Sequence, residues 1–263
     1  MIAAIRHTVR ENVAQPFVIF AIILVVAILG LSAIGISMKY ENGVLVAVEL
    51  FGNTVDQDLF LVAPALTSVF SNIVPAMLMF LFIIGASFVH VGMLQHPLTS
   101  LSLIGPLSRP GLFIAKYLGV WSLVTSVLAF FWVLLWLLLL IKSSGQLGGS
   151  LLLVPISASL EFAVLLSFAG LIAMIIQNST AVAIISLGMY FYVGPLLGTA
   201  TDSSPAFVKI IAAVFPPIAG MWAATRDCIL GNPADFTPFL RAVPHTVVML
   251  LSALIIFQRK DLS

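Results

Sequence analysis

The chain has 263 residues, of which 61% are apolar and 8% charged, with a net charge of +1. An ordinary soluble domain carries roughly 25% charged residues, so this chain cannot cover a water-facing surface and reads as an integral membrane protein. The near-neutral balance gives no sign of a nucleic-acid partner, and the single cysteine, Cys228, excludes an intrachain disulfide framework or a cysteine-rich metal site.

The first stretch, "MIAAIRHTVRENVAQP", repeats Ile2, Ile5, Val9 and Val13 at helical spacing, with Arg6, His7, Arg10 and Glu11 on the other face. This predicts an amphipathic helix over 1–15 lying along the cytoplasmic interface, broken from the first span by Pro16. It serves either as a positively charged anchor or as a contact surface for a partner.

A helix needs about 20 apolar residues to cross the hydrocarbon core. Six segments qualify, at about 17–38, 62–89, 117–141, 151–176, 180–198 and 243–257. The first is too long for a signal-peptide core and lacks a clear small-x-small cleavage site, so it reads as a helix that stays in the protein. The second contains Pro64 and Pro75, which predict a kink or an early break.

With six spans both termini share one side, and Arg6, Arg10, Arg109, Lys116, Arg259 and Lys260 fall there with only Glu11 and Asp261 as acids. On the other side the bases are spread over longer loops among many acids. The positive-inside bias therefore puts both termini and the 90–116 loop in the cytoplasm.

Within the fourth span, "LLLVPISASLEFAVLLSFAG" carries one acid, Glu161. An acid near the bilayer centre costs about 2.5–3.5 kcal/mol on insertion scales. Glu161 is therefore a pathway-lining or interhelical polar contact, or else a helix-start acid reaching the outer headgroups. Ser157 and Ser159 are the partners nearest in sequence. In the fifth span Gly194 and Gly198 fit the small-xxx-small spacing of close helix packing, and Tyr190 and Tyr192 lie between Gly188 and Pro195.

The stretch after it, "FVKIIAAVFPPIAGMWAATRDCILG", is apolar enough to enter the membrane but is interrupted by Pro216 and Pro217. Two consecutive amide donors are lost there. The segment at 206–230 reads as two short helices that dip into the outer leaflet and return, or as an interfacial helix lying flat.

Motifs for nucleotide binding and hydrolysis are absent. No Gly-Lys-Ser/Thr follows Gly105 and Gly111, so the chain has no phosphate cradle of that kind, and neither H-E-x-x-H nor G-x-S-x-G occurs. His90 and His96 fall on different faces of a helix and read as interfacial or partner-contacting rather than metal-binding. No catalytic, cofactor-binding or metal-ligating residue is assigned.

The loop from His90 to Gly119, "HVGMLQHPLTSLSLIGPLSRPGLFIAKYLG", resembles the loop between spans two and three in permease subunits of the type-2 ABC exporter class. Leu98–Thr99, Leu101, Leu103, Pro106-Leu107-Ser108-Arg109 and Ala115–Lys116 occupy the places of the class pattern. The amphipathic start, the six spans, the proline-broken outer segment and the terminal "FQRKDLS" match it as well. Gln95-His96-Pro97 stands where acids are usual, and Ala115 where glycine is usual.

The resemblance implies an all-α polytopic permease, 1–263, forming the translocation pathway as a dimer with a second chain, the same or homologous. A coupling helix at about 94–105 would seat in a cytoplasmic ATP-binding ABC subunit, present in two copies. ATP and Mg would be held by that partner, and no cofactor by this chain. The coupling residues would be Leu98, Leu101, Pro106, Arg109 and Lys116, with Arg6 and Arg10 on the amphipathic helix. The rival readings are an ion-coupled secondary transporter, which would need ionisable groups near the midplane and usually an internal repeat, and a membrane assembly or anchoring subunit that transports nothing. An intramembrane enzyme fits least, because no nucleophile–base pair or metal set is evident.

Overall fold

The computed structural model describes residues 2–13, 15–41, 44–54, 72–95, 108–142, 149–199 and 204–259. Leu98, Leu101 and Pro106, with most of the proposed coupling helix, lie outside them, as do Pro64 and His96. The described chain is mainly helical, and six of its helices are long and apolar enough to cross a membrane.

Helix α1 (Ile2–Val13) is followed by α2 (Pro16–Gly35). Pro16 occupies the first turn of α2, where its missing N–H costs nothing. The sequence reading carried this span to about residue 38, but α2 stops at Gly35. The chain then enters a small antiparallel sheet of β1 (Ile36–Glu41), β2 (Val44–Leu50) and β3 (Asn53–Thr54), in the order β1-β2-β3. Apolar and polar residues alternate through "ISMKYE", a strand period rather than a helix period. Phe51 closes the sheet back onto the helix end: its N–H donates to the Gly35 carbonyl (2.8 Å). Its ring also covers Gly35, where a Cβ would lie 2.7 Å from it. Lys142, at the end of α4, donates to the Ile36 carbonyl, and Lys39 pairs with Glu49 across the sheet at 2.5 Å.

Helix α3 (Val74–Gln95) carries Pro75 as its second residue and is preceded by π-helical residues 72–73, so the helical backbone is irregular where the sequence predicts a kink or break. Helix α4 (Arg109–Lys142) begins before the expected start near 117. Ser108 caps it: its Oγ accepts from the Gly111 N–H (3.3 Å) and its carbonyl from the Leu112 N–H (2.9 Å). Pro110 then falls in the first turn, where proline is accommodated. Arg109 through Lys116 are therefore the opening turns of the third span.

After a short 3-10 turn (Gly149–Leu153) comes α5 (Val154–Ile176), the centre of the bundle, which packs against α3, α4, α6, α9 and α10. Its seam with α4 is held by side chains reaching backbone carbonyls. Tyr117 donates to the Ala163 carbonyl (2.9 Å) and Trp121 to that of Ser159 (3.0 Å). Such bonds hold helices together in a medium where burying apolar surface gives no advantage over lipid. Gln177, in the left-handed conformation, turns the chain, and the Asn178 side chain caps α6 (Ser179–Gly188) by accepting from the Ala181 N–H (3.0 Å).

The fifth span continues through a π-helical turn (Met189–Val193) into α7 (Gly194–Gly198). Pro195 supplies no N–H to the Phe191 carbonyl, and the Gly194 N–H reaches back five residues to the Met189 carbonyl instead. The backbone widens where the ladder is broken.

Helices α8 (Ala206–Val214) and α9 (Ile218–Leu230) are bent by 63° at the break holding Pro216 and Pro217. Gly231, at φ +73°, ends α9. The last span, α10 (Thr237–Arg259), carries His245, whose ring nitrogens lie 2.9 Å from the Arg241 carbonyl and 3.0 Å from that of Ala213 in α8.

Candidate functional site

Two places in the fold collect the residues the sequence singled out. The first is the end of the bundle where α4 begins. Helix α1 packs on α4 there. Among the described side chains of α1, Thr8 and Asn12 are buried, whereas Ile2 and Val13 are exposed. Thr8 sits against Gly119, where an added Cβ would lie 2.6 Å from its Cγ2 and 3.3 Å from the Ile5 carbonyl. Glycine is needed for the helices to approach so closely. Both buried polar side chains are satisfied within the helix, Thr8 Oγ1 by the Ala4 carbonyl (3.0 Å) and Asn12 Nδ2 by that of Thr8 (2.7 Å). Arg6 and Arg10 point away and are exposed.

Arg109 lies at the same end. Its guanidinium donates to the carbonyl of Gln258 (3.2 Å), in the last turn of α10. A cation at a helix C-terminus meets carbonyls that lack intrahelical partners, so Arg109 ties the start of the third span to the end of the sixth. Lys116 is half-buried in the second turn of α4. Arg6, Arg10, Arg109, Lys116 and Arg259 thus belong to elements joined at one end of the bundle.

His90 is not on that surface. It is buried, its Nδ1 lies 2.8 Å from the Ala86 carbonyl, and its ring packs beside Phe113 and over Gly170. The expectation of an interfacial or partner-contacting histidine is corrected for this residue.

The second place surrounds Glu161. Only 2% of this residue is exposed, so it does not reach outward from the helix start. Ser157 donates to the Val154 carbonyl, and Ser159 offers its own carbonyl to Trp121. The side chain facing the Glu161 carboxyl is Tyr190 in the π turn of the fifth span. Glu161 Oε1 and Tyr190 Oη nonetheless close no hydrogen bond of good geometry, and both are left unpaired.

Tyr190 is fully buried, with the Phe191 ring edge-on at 4.8 Å and the Trp222 ring of α9 at 5.7 Å. Trp222 Nε1 and Thr225 Oγ1, one turn further along α9, are also buried and unpaired. Glu161 is the only buried Asp, Glu, Lys or Arg among the described residues.

Gly194 and Gly198 hold this arrangement together. A Cβ at Gly194 would lie 2.9 Å from Ile218 Cβ, and one at Gly198 would overlap Ala219 Cβ. The pair lies against the first turn of α9, and that helix carries Trp222 and Thr225. Sequence reasoning placed Tyr190 in the right span without connecting it to Glu161, and it missed Trp222, Thr225, Thr8 and Gly119. The usable signals were Pro195 after two tyrosines, and a glycine three turns into the third span. Compared with known proteins, the chain matches no family model and none of the curated proteins.

Proposed function

We propose that this chain is the membrane-spanning permease subunit of an ATP-driven transporter of the type-2 ABC class, an exporter, in a prokaryotic cell membrane with both termini cytoplasmic. Two such chains form the translocation pathway, and two cytoplasmic ATP-binding subunits hold ATP and Mg. The segment at 206–230 is re-entrant from the outer side in this reading.

The observation that carries the proposal is the sequence motif Pro106-Leu107-Ser108-Arg109 running into Lys116, whose described part, Ser108 to Lys116, opens the helix on which α1 is docked. Ser108 caps the third span and Arg109 links it to the sixth. A push received by the loop before Ser108 is therefore delivered to α4, α1 and α10 together. A closely packed glycine contact and a charged capping bond transmit movement better than a flexible linker would. Exposed Arg6 and Arg10 on α1 suit carboxylates of a partner or anionic headgroups.

A photo-crosslinking residue at Leu101 tests the loop's role. Mass spectrometry of the product is expected to identify an ATP-binding ABC subunit. Products with lipid alone, under conditions where controls in other soluble loops behave likewise, would refute docking at this loop. The buried acid favours one second reading, an ion-coupled secondary transporter, because ion coupling needs an ionisable group at membrane depth.

A further inference from the structure

Glu161 is a lone acid inside the bundle. As a carboxylate such a group is costly unless an opposite charge or several hydrogen bonds compensate it, and without them it keeps its proton. No buried Lys or Arg occurs among the described residues, and Oε1 has no hydrogen-bond partner. The side chain that faces it is aromatic, and the helices that carry the two are otherwise mainly apolar. Tyr190 faces it, Trp222 and Phe191 flank Tyr190, and Phe162, Leu165 and Ile218 belong to the same buried cluster.

A calcium or magnesium ion would need about six or more oxygens, and this cluster offers a carboxylate, two hydroxyls and an indole N–H that can only donate. An organic cation needs less. Its charge is met by the carboxylate, its positive surface by the negative faces of aromatic rings, and its apolar body by the neighbouring side chains.

The surroundings can also open. Glu161 stands on the rigid central helix, but Tyr190 lies in a π turn next to Pro195, and Trp222 and Thr225 lie on α9 just beyond the 63° break at Pro216 and Pro217. Two of the three walls are therefore attached to interrupted helices. No hydrogen bond of good geometry holds their polar atoms in this arrangement.

We propose that Glu161, Tyr190 and Trp222 form a binding site for a hydrophobic organic cation, an ammonium or phosphonium centre on an apolar body. It rests on the permease reading only for its meaning as a substrate site; binding itself does not depend on an ATPase.

Tetraphenylphosphonium is the probe, measured by equilibrium binding to the purified full chain in lipid nanodiscs, with neutral triphenylphosphine oxide as the uncharged comparison. Saturable binding of the cation is expected, weakened about tenfold or more in Glu161→Gln and by less in Tyr190→Phe, with the neutral compound binding far more weakly. Glu161→Asp keeps the charge and is expected to retain part of the affinity, which separates lost charge from lost folding. No saturable cation binding, equal binding by Glu161→Gln, or equal affinity for the neutral compound would overturn the proposal, leaving Glu161 a structural acid. If the cation binds while no ATP-binding subunit associates with the chain, this site stands and the ABC reading falls; the reverse result separates them the other way.

Discussion

Alanine at position 119 is a small change with a calculable consequence. The new Cβ would lie 2.6 Å from Thr8 Cγ2 and 2.7 Å from Thr8 Cβ, whereas carbon atoms rest at about 3.5–4.0 Å. Thr8 is β-branched, its hydroxyl is tied to the Ala4 carbonyl, and one of the clashing atoms is its Cβ, so no rotamer change relieves the overlap. Helix α1 must move outward by about 1 Å. Overpacking of this kind costs about 1–3 kcal/mol. If α1 opens as a unit, amide exchange across Ile2–Val13 should speed up by roughly 5- to 150-fold, with α5 unaffected. Thr8→Gly removes the obstacle while costing roughly 1 kcal/mol as a glycine in a helix. Gly119→Ala combined with Thr8→Gly should therefore be less destabilised than the sum of the single variants by about 1 kcal/mol or more. Strict additivity, or wild-type exchange in Gly119→Ala, would refute the close contact as the reason α1 stays on the third span.

Arg109→Ala should fray the last turn of α10, because the Gln258 carbonyl loses its donor. Exchange near 256–259 should rise by up to about tenfold, the equivalent of a hydrogen bond worth about 0.5–1.5 kcal/mol; an unchanged last turn would remove Arg109 as a tie between spans. Asp235 starts the last span, its Oδ1 accepting from the Thr237 N–H at 2.9 Å. Hydrogen bonds from the Thr237 side chain and amide hold its carboxyl below the usual carboxylate range. A depressed carboxyl contributes stability above its unfolded value and loses it as pH falls through the folded one. Protection of the Thr237 amide should thus persist down to about pH 4, the ordinary carboxylate value, and decline only below it. Complete loss above that pH would contradict the hydrogen-bonded geometry.

The spans were legible because crossing a membrane requires about 20 consecutive apolar residues, and little else produces such runs. Their ends were less legible because proline has two meanings. Pro16 and Pro110 each sit in a first helical turn, while Pro195 and Pro216–Pro217 interrupt helices. Ser108 was the available signal at Pro110, whereas Gln15 before Pro16 supplies no side-chain cap. The β hairpin was legible as alternation in "ISMKYE", but the preceding apolar run masked it.

The candidate site divided along a physical line. Glu161 stands out in sequence because an isolated acid in an apolar run violates solvation. Tyr190, Trp222 and Thr225 look ordinary alone, and become notable only when packing leaves their polar atoms unpaired. Helix α1 shows the same limit: periodicity finds its apolar stripe, but not that Thr8, its hydroxyl satisfied by its own backbone, seats on Gly119 of the third span.

The central claim is that the work of transport comes from ATP on a separate subunit. The most direct measurement isolates the tagged chain from its native membrane in mild detergent and reconstitutes whatever co-purifies into liposomes. The account predicts two ATP-binding ABC subunits with two copies of this chain, ATP hydrolysis only when they are present, and cargo movement that requires ATP. A chain that purifies without such a subunit and moves cargo under an ion gradient alone would contradict it.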